Sequence, residues 1–350
     1  MMTNNILEVN AEQYGNVYLM PAILISILST SKDANLWLME NCPEQYVRNH
    51  NRCDLIYRNG YIKIYDEMTR PGYLLDYLDI KLMAENLYRS PSVAKHLMKA
   101  IDRQEYIVLD LDEYYIEHTY FFNRRHYYRK FLINGYDKQA GIVRAYSHDE
   151  RTVYRPFCLS MRDLPHIIQK GNQILDTANR FAYGSLIIRK NPSCGSFAFS
   201  LHRFLYRLNL CLENRKVEVR SDSGEILYTD LYGFQMYDVI VEKIRLLKEN
   251  IVQLDYRVFS MVEQRLARMA DTIDYLKQEL RVSELHESAG TYRNLANQWK
   301  RLFFIFLKPY RTCYTERYRN LDEIIHQINS CKETEKICLN GLIERLRYCL

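Results

Sequence analysis

Glycine is scarce, 12 residues in 350, and none forms the Gly-x-x-x-x-Gly-Lys loop or the Gly-x-Gly-x-x-Gly turn that cradles phosphates on backbone amides. Nucleotide-dependent chemistry is therefore poorly supported by this sequence. The nine cysteines, Cys42, Cys53, Cys158, Cys194, Cys211, Cys313, Cys331, Cys338 and Cys349, include no Cys-x-x-Cys pair, which removes the usual zinc and dithiol spacings. The apolar run Val17 to Leu28 is too short to span a bilayer and contains Pro21, so it reads as a buried helix, and no membrane partner is expected. No charge sign dominates: 48 basic against 43 acidic side chains give +5, with both signs interspersed.

The odd cysteine count, with no leader peptide at the amino end, predicts reduced thiols in a cytoplasmic protein. What is present is ordinary globular material, 47% hydrophobic and 26% charged, enough to bury a core. The length suits one domain with a large second layer, or two domains. Tyrosine is unusually abundant, with 30 residues; a ring with a hydroxyl suits half-buried positions and wet clefts, but selects no function.

The front half reads as mixed structure. Pro21 to Thr30 predicts a compact helix with proline in its first turn. Ser31 to Arg52 reads as polar and turn-rich, and Leu55 to Tyr65 as a hairpin turning at Asn59-Gly60. Gly72 to Arg103 reads as two helices divided at Ser90-Pro91. Tyr106 to Leu111, Tyr128 to Gly135 and Gly141 to Tyr146 predict an antiparallel sheet, which Val153 to Leu159 extends. Ser160 to Leu164 looks like a capped helix start. Beyond Phe197 the spacing turns helical: Phe197 to Leu212, Gly233 to Glu249, Asp255 to Leu280, Thr291 to Leu307 and Leu321 to Arg347. The expectation is an α+β protein, with residues 1–190 as a mixed domain and 191–350 as a mostly helical region packed on it.

Asp110 and Asp112 share one face of an extended chain and, with Glu113, suit an oxygen-ligand metal site; the plainer reading, solvated carboxylates at a strand end, is preferred, so no metal is expected. His118 and His126 bracket Tyr120, Phe121 and Phe122 without a third ligand nearby, and read as surface or half-buried histidines. The basic run Asn123 to Lys130 mixes cations with aromatics as a single-strand binder does, but it runs into Phe131-Leu132-Ile133 and reads as a charged loop entering a strand; no nucleic-acid partner is expected. The aromatic stripe from Trp299 to Phe306 has the spacing that core packing requires.

Glu113-Tyr114-Tyr115-Ile116, the stretch Arg125 to Asp137 ending in Gly-Tyr-Asp, and the later segments Tyr232 to Tyr237, Leu254 to Phe259 and the helix around Tyr275-Leu276 together resemble the family of the butirosin-biosynthesis protein H. Its amino-terminal domain is similar to papain-like, C39-type peptidases. The resemblance runs from about Tyr14 to the last helices, through short motifs. It implies a papain-like first domain and transfer of an acyl group from a carrier-protein thioester through a cysteine, which needs an imidazole and an orienting polar group.

At the matching positions this sequence departs from the family. Asn16 stands where the nucleophilic cysteine belongs, Arg129 where the histidine belongs, and Ser147 where the acidic residue belongs; a two-residue slip puts Asp149 there instead. An amide forms no thioester, and a guanidinium is no base near neutral pH. His126 and Asp149 are the candidate substitutes, although His126, three positions before Arg129, reads as lying on the opposite strand face and needing a bulge. The resemblance thus implies a non-catalytic relative that binds an acyl-pantetheine ligand, a carrier protein or a biosynthetic enzyme, with Asn16, Tyr18, Arg129 and Tyr114 at the ligand. Beyond that ligand no cofactor is implied. Two alternatives stand beside it: an acyltransferase or amide hydrolase with a displaced cysteine, and a helical interaction protein whose front domain is only structural.

Overall fold

The structure, a computed structural model, describes residues 3–11, 19–43, 45–50, 63–66, 78–83, 92–151, 153–168, 185–191, 197–220, 223–224, 226–248, 257–310 and 320–350. It is mixed in class, with an antiparallel sheet and several helices. By internal contacts the chain divides into two units, residues 1–35 with 71–196, and residues 36–70 with 197–350.

In the first unit, strand β1 (Asn4–Ile6) is followed by helix α1 (Leu19–Leu28). Helix α2 (Lys32–Asn41) crosses the division of the chain, and β2 (Gln45–His50) and β3 (Lys63–Asp66) go to the second unit. The stretch Ser31 to Arg52, expected as turns, therefore holds a helix and a strand. Apolar positions decide this: Ala34, Trp37 and Leu38 are all buried, which a polar turn would not require. The Asn59-Gly60 turn lies outside the described residues.

The first unit continues with β4 (Leu78–Leu82), α3 (Val93–Asp102), β5 (Glu105–Asp112), β6 (Tyr128–Asp137), β7 (Ile142–His148), β8 (Tyr154–Ser160) and β9 (Leu186–Lys190). Strand β4 corrects the expectation of a helix after Gly72. Its sequence Leu-Asp-Ile-Lys-Leu alternates with period two, and pairing with β9 realises that period. The Ser90-Pro91 boundary lies outside the described residues. The sheet has seven strands in the order β4-β9-β5-β6-β7-β8, with β1 pairing to the end of β6. Helix α3 packs on β5 and β6, and α1 on β6 and β7.

The Gly-Tyr-Asp end of β6 is built by packing. A Cβ on Gly135 would stand 2.8 Å from the carbonyl oxygen of Asn5, so β1 can pair there only against glycine. The Tyr136 hydroxyl donates to Asp102 at 2.6 Å. Asp137 accepts the amides of Gln139 and Ala140 at 2.9 and 3.0 Å, closing the turn into β7.

The second unit holds α4 (Leu201–Leu212), β10 (Lys216–Arg220), β11 (Ile226–Tyr232), α5 (Gln235–Lys248), α6 (Arg257–Leu280), α7 (Leu285–Tyr310) and α8 (Leu321–Arg347). Beside the expected helices this unit holds strands that the helical spacing does not predict: β10 and β11 join β2 and β3 in a four-stranded antiparallel sheet, order β10-β11-β2-β3. Trp299 sits at the centre of the helices with no exposed surface, beside Tyr237 and Phe259. Phe306 is buried with it, whereas Phe304 is 58% exposed. Among the described residues no helix is long and apolar enough to cross a membrane.

Candidate functional site

Sequence-selected residues of the first unit gather where β5 ends and β6 begins. The register pairs Asp110 with Lys130, Leu111 with Arg129 and Asp112 with Tyr128. Each acidic residue of this corner has a basic neighbour. Lys130 reaches Asp110 at 2.9 Å; burial pushes the Asp110 carboxyl up, and the lysine opposes it.

Asp112 organises the corner. Its side chain has no exposed surface, and it caps the 3-10 turn Glu113–Tyr115 by accepting the Tyr114 amide at 3.1 Å. The same carboxylate accepts the Tyr127 amide at 3.2 Å and the Tyr128 hydroxyl at 3.3 Å. Its last neighbour is His126, whose Nδ1 lies 2.7 Å away. The imidazole is 43% exposed, with the Tyr114 ring at 4.5 Å and the Tyr115 ring at 5.8 Å between centroids. With Nδ1 committed to Asp112, Nε2 is the nitrogen left to accept a proton.

Glu113 is buried as well, with the Arg129 Nε 2.5 Å from its carboxylate in an ionic contact. The contact falls outside hydrogen-bond angles. Burial pushes the Glu113 carboxyl up to about 7; Arg129 and the Phe121 backbone pull it down, and Asp112 adds to the rise. Asp112 and Glu113 are therefore not the solvated strand-end carboxylates that the sequence suggested. They are interior anchors, because the chain turns back over them through residues 116–127. Thr119 ties that loop by donating to the carbonyls of Glu113 and Ile116 at 3.0 and 2.7 Å. Among the described residues no three metal-ligating side chains stand together.

The remaining positions fall at the same end of the sheet. Ser147 is fully buried and donates to the carbonyl of Lys130 at 2.9 Å. Asp149 accepts the amides of Arg151 and Val153 at 2.8 and 2.9 Å and faces Arg155 at 3.4 Å, shaping the β7 to β8 turn. Arg129 also donates to the His148 carbonyl at 3.4 Å. Arg129, Ser147, Asp149, His126 and Tyr114 thus share one corner, while Asn16 and Tyr18 lie outside the described residues. His126 needs no bulge to join it. Strand β6 starts at Tyr128, so His126 belongs to the preceding loop, and the irregularity of β6 falls between Ile133 and Gly135.

No protein-family model matches the sequence, and no curated protein matches it.

Within the first unit the one cysteine among the described residues, Cys158, stands away from this corner's imidazole. In the first unit Cys158 pairs with Arg144, which faces Gly135, placing the thiol more than about 20 Å along the sheet from Tyr128 at ~3.4 Å per residue. The others are Cys42, Cys211, Cys331, Cys338 and Cys349, all in the second unit. Burial pushes the thiols of Cys331 and Cys338 up to about 11, the opposite of what a nucleophile needs. Sequence reasoning missed two relationships: Asp112 with His126, and Glu113 with Arg129. The available signal was an acidic pair directly after an apolar strand, matched by cations at the start of the partner strand.

Proposed function

We propose that this protein is a non-catalytic relative of the butirosin-type acyltransferases, its first unit a papain-like domain that binds an acyl-pantetheine ligand or the carrier protein bearing it. The observation that carries this reading is the ion pair of Arg129 with buried Glu113, at the position where the family resemblance requires an imidazole. A guanidinium held by a carboxylate takes no proton from a thiol. Ser147, at the expected acidic position, spends its hydroxyl on a backbone carbonyl. In such a domain the cleft serves recognition, with the exposed His126 and the half-buried Tyr114 available to a ligand.

The test is to incubate the purified protein with a panel of acyl-pantetheine thioesters. Intact-mass spectrometry should find no acyl adduct, while the melting temperature should rise with ligand concentration as binding to the native state requires. An adduct on any cysteine would overturn the reading, and so would the absence of any thermal shift with both acyl-pantetheines and carrier proteins.

A second reading is favoured by the contact between Asp112 and His126. A half-exposed imidazole oriented by a buried carboxylate is the arrangement of a general base. In this version the imidazole accepts the proton of an attacking amine or water as it adds to the thioester carbonyl, and the C–S bond then breaks, the pantetheine thiolate leaving with that proton from the imidazolium and no acyl-enzyme forming. His126→Ala would then abolish turnover of the thioester panel, whereas under the first reading no turnover exists to abolish.

A further inference from the structure

We propose that the face formed by Tyr120, Arg124, Arg125 and Tyr127 is a docking surface for an acidic segment of a protein partner. The guanidinium of Arg125 lies 4.1 Å from the Phe121 ring centre and 5.9 Å from that of Tyr127. That of Arg124 lies 5.2 Å from the Tyr120 ring centre. Both arginines are exposed, and among the described residues neither has a carboxylate within ion-pair distance. The surrounding cations differ: Lys130, Arg129, Arg155 and His126 each face a carboxylate of their own. Arg124 and Arg125 are therefore, among the described residues, cations at this end of the sheet that no carboxylate pairs.

Stacking on a ring shields one face of a guanidinium from water and fixes its plane, leaving the N–H edge to meet a carboxylate in the two-pronged geometry that arginine favours. Tyr120 and Tyr127 are 49% and 41% exposed, so apolar ring surface borders both charges. A pre-ordered pair of cations beside aromatic surface is the composition of an interface anchor. The loop that carries them is fixed: Thr119 bonds back to Glu113 and Ile116, and the Glu150 amide donates to the His118 carbonyl.

Neighbouring charge selects the partner. Glu117 and Glu150 are exposed, and the Glu150 contact with His118 sets a negative border at one side of the patch. A nucleic acid extending across the loop would carry phosphates onto that border, because a polyanion cannot interrupt its charge. A short segment with two acidic residues flanked by apolar ones fits without meeting it.

The test uses the full chain and three probes: a peptide with a Glu-Glu pair flanked by leucines, the same peptide with Gln-Gln, and a single-stranded oligonucleotide of mixed sequence. Fluorescence anisotropy should show binding of the acidic peptide that weakens about tenfold or more in R124A/R125A and falls with added salt. Lys99→Ala, an exposed cation on α3, should leave binding unchanged. R124K/R125K, which keeps the charge and the loop but loses the planar fork, should give an intermediate loss, so that misfolding of the alanine variant cannot imitate the result. Equal binding of the Gln-Gln peptide, tighter binding of the oligonucleotide, or full binding by R124K/R125K and R124A/R125A would each overturn the proposal. None of these outcomes depends on acyl-pantetheine binding.

Discussion

Asp112 and His126 meet at 2.7 Å, one with no exposed side-chain surface and the other 43% exposed. The two sides of this contact carry different loads. Asp112 accepts two backbone amides and the Tyr128 hydroxyl as well as the imidazole, whereas His126 has its second nitrogen free for solvent or ligand.

Asp112→Ala should therefore cost about 2–4 kcal/mol of stability, because it strands several buried donors at once. His126→Ala should cost less than about 1 kcal/mol, since the donors keep their acceptor. Urea denaturation of the two variants measures both. Equal losses would show that the imidazole is itself structural.

The pH dependence of folding should carry the mark of Glu113. Its folded value of about 7 lies above the ordinary 4.5, so the folded state holds the proton more tightly than the unfolded chain. The stabilisation is complete below about pH 4.5 and is lost as pH rises through 7. The size should be about 3 kcal/mol, the linkage value of a rise from 4.5 to about 7. Melting curves between these limits should show the decline, and Glu113→Gln should flatten it. An unchanged slope in that variant would assign it to another group.

In the second unit, Arg265 forks onto Glu335 at 2.6 and 2.8 Å, and the Tyr237 hydroxyl joins the same carboxylate. Arg265 and Glu335 are 7% and 1% exposed. Glu335→Ala should lose about 3–5 kcal/mol, because it leaves a cation buried without its counter-charge. The pair Arg265→Met with Glu335→Leu should lose much less. A double-mutant cycle reads the difference, and additive losses would count against the coupling.

Gly233 adopts φ +65, and a Cβ there would meet the Cys211 carbonyl oxygen at 2.1 Å. Gly233→Ala should destabilise by about 2 kcal/mol or more, as both the backbone region and the close approach demand glycine. Thermal unfolding checks this, with Gly341→Ala as the contrast, because nothing lies within 4 Å of a Cβ at that helical site.

Sequence periodicity made the long helices legible. Leu321 to Arg347 was expected and observed with the same bounds, because buried side chains recur along it at three- and four-residue steps over several turns. The central strands β5, β6 and β7 were equally legible from apolar runs and turn chemistry. Short elements were not. Leu78–Leu82 and Lys216–Arg220 alternate over only five residues each, and so brief a pattern becomes a strand only when a partner supplies hydrogen bonds.

The candidate corner was half legible. Residue identities single out Arg129 and His126, but alternation of strand faces separates them only if the strand extends back to His126, and β6 starts at Tyr128.

The amino acids alone determined where the long helices run and where charge and rings concentrate, since those follow from composition and local spacing. Tertiary structure decided that Asp112 and Glu113 are interior, that residues 45–50 pair with a strand more than a hundred positions later and bring residues 63–66 into the same sheet, and that Arg124 and Arg125 are left without counter-charges among the described residues. Each depends on which distant groups meet, and side-chain partners brought together by folding leave no periodic trace in the chain.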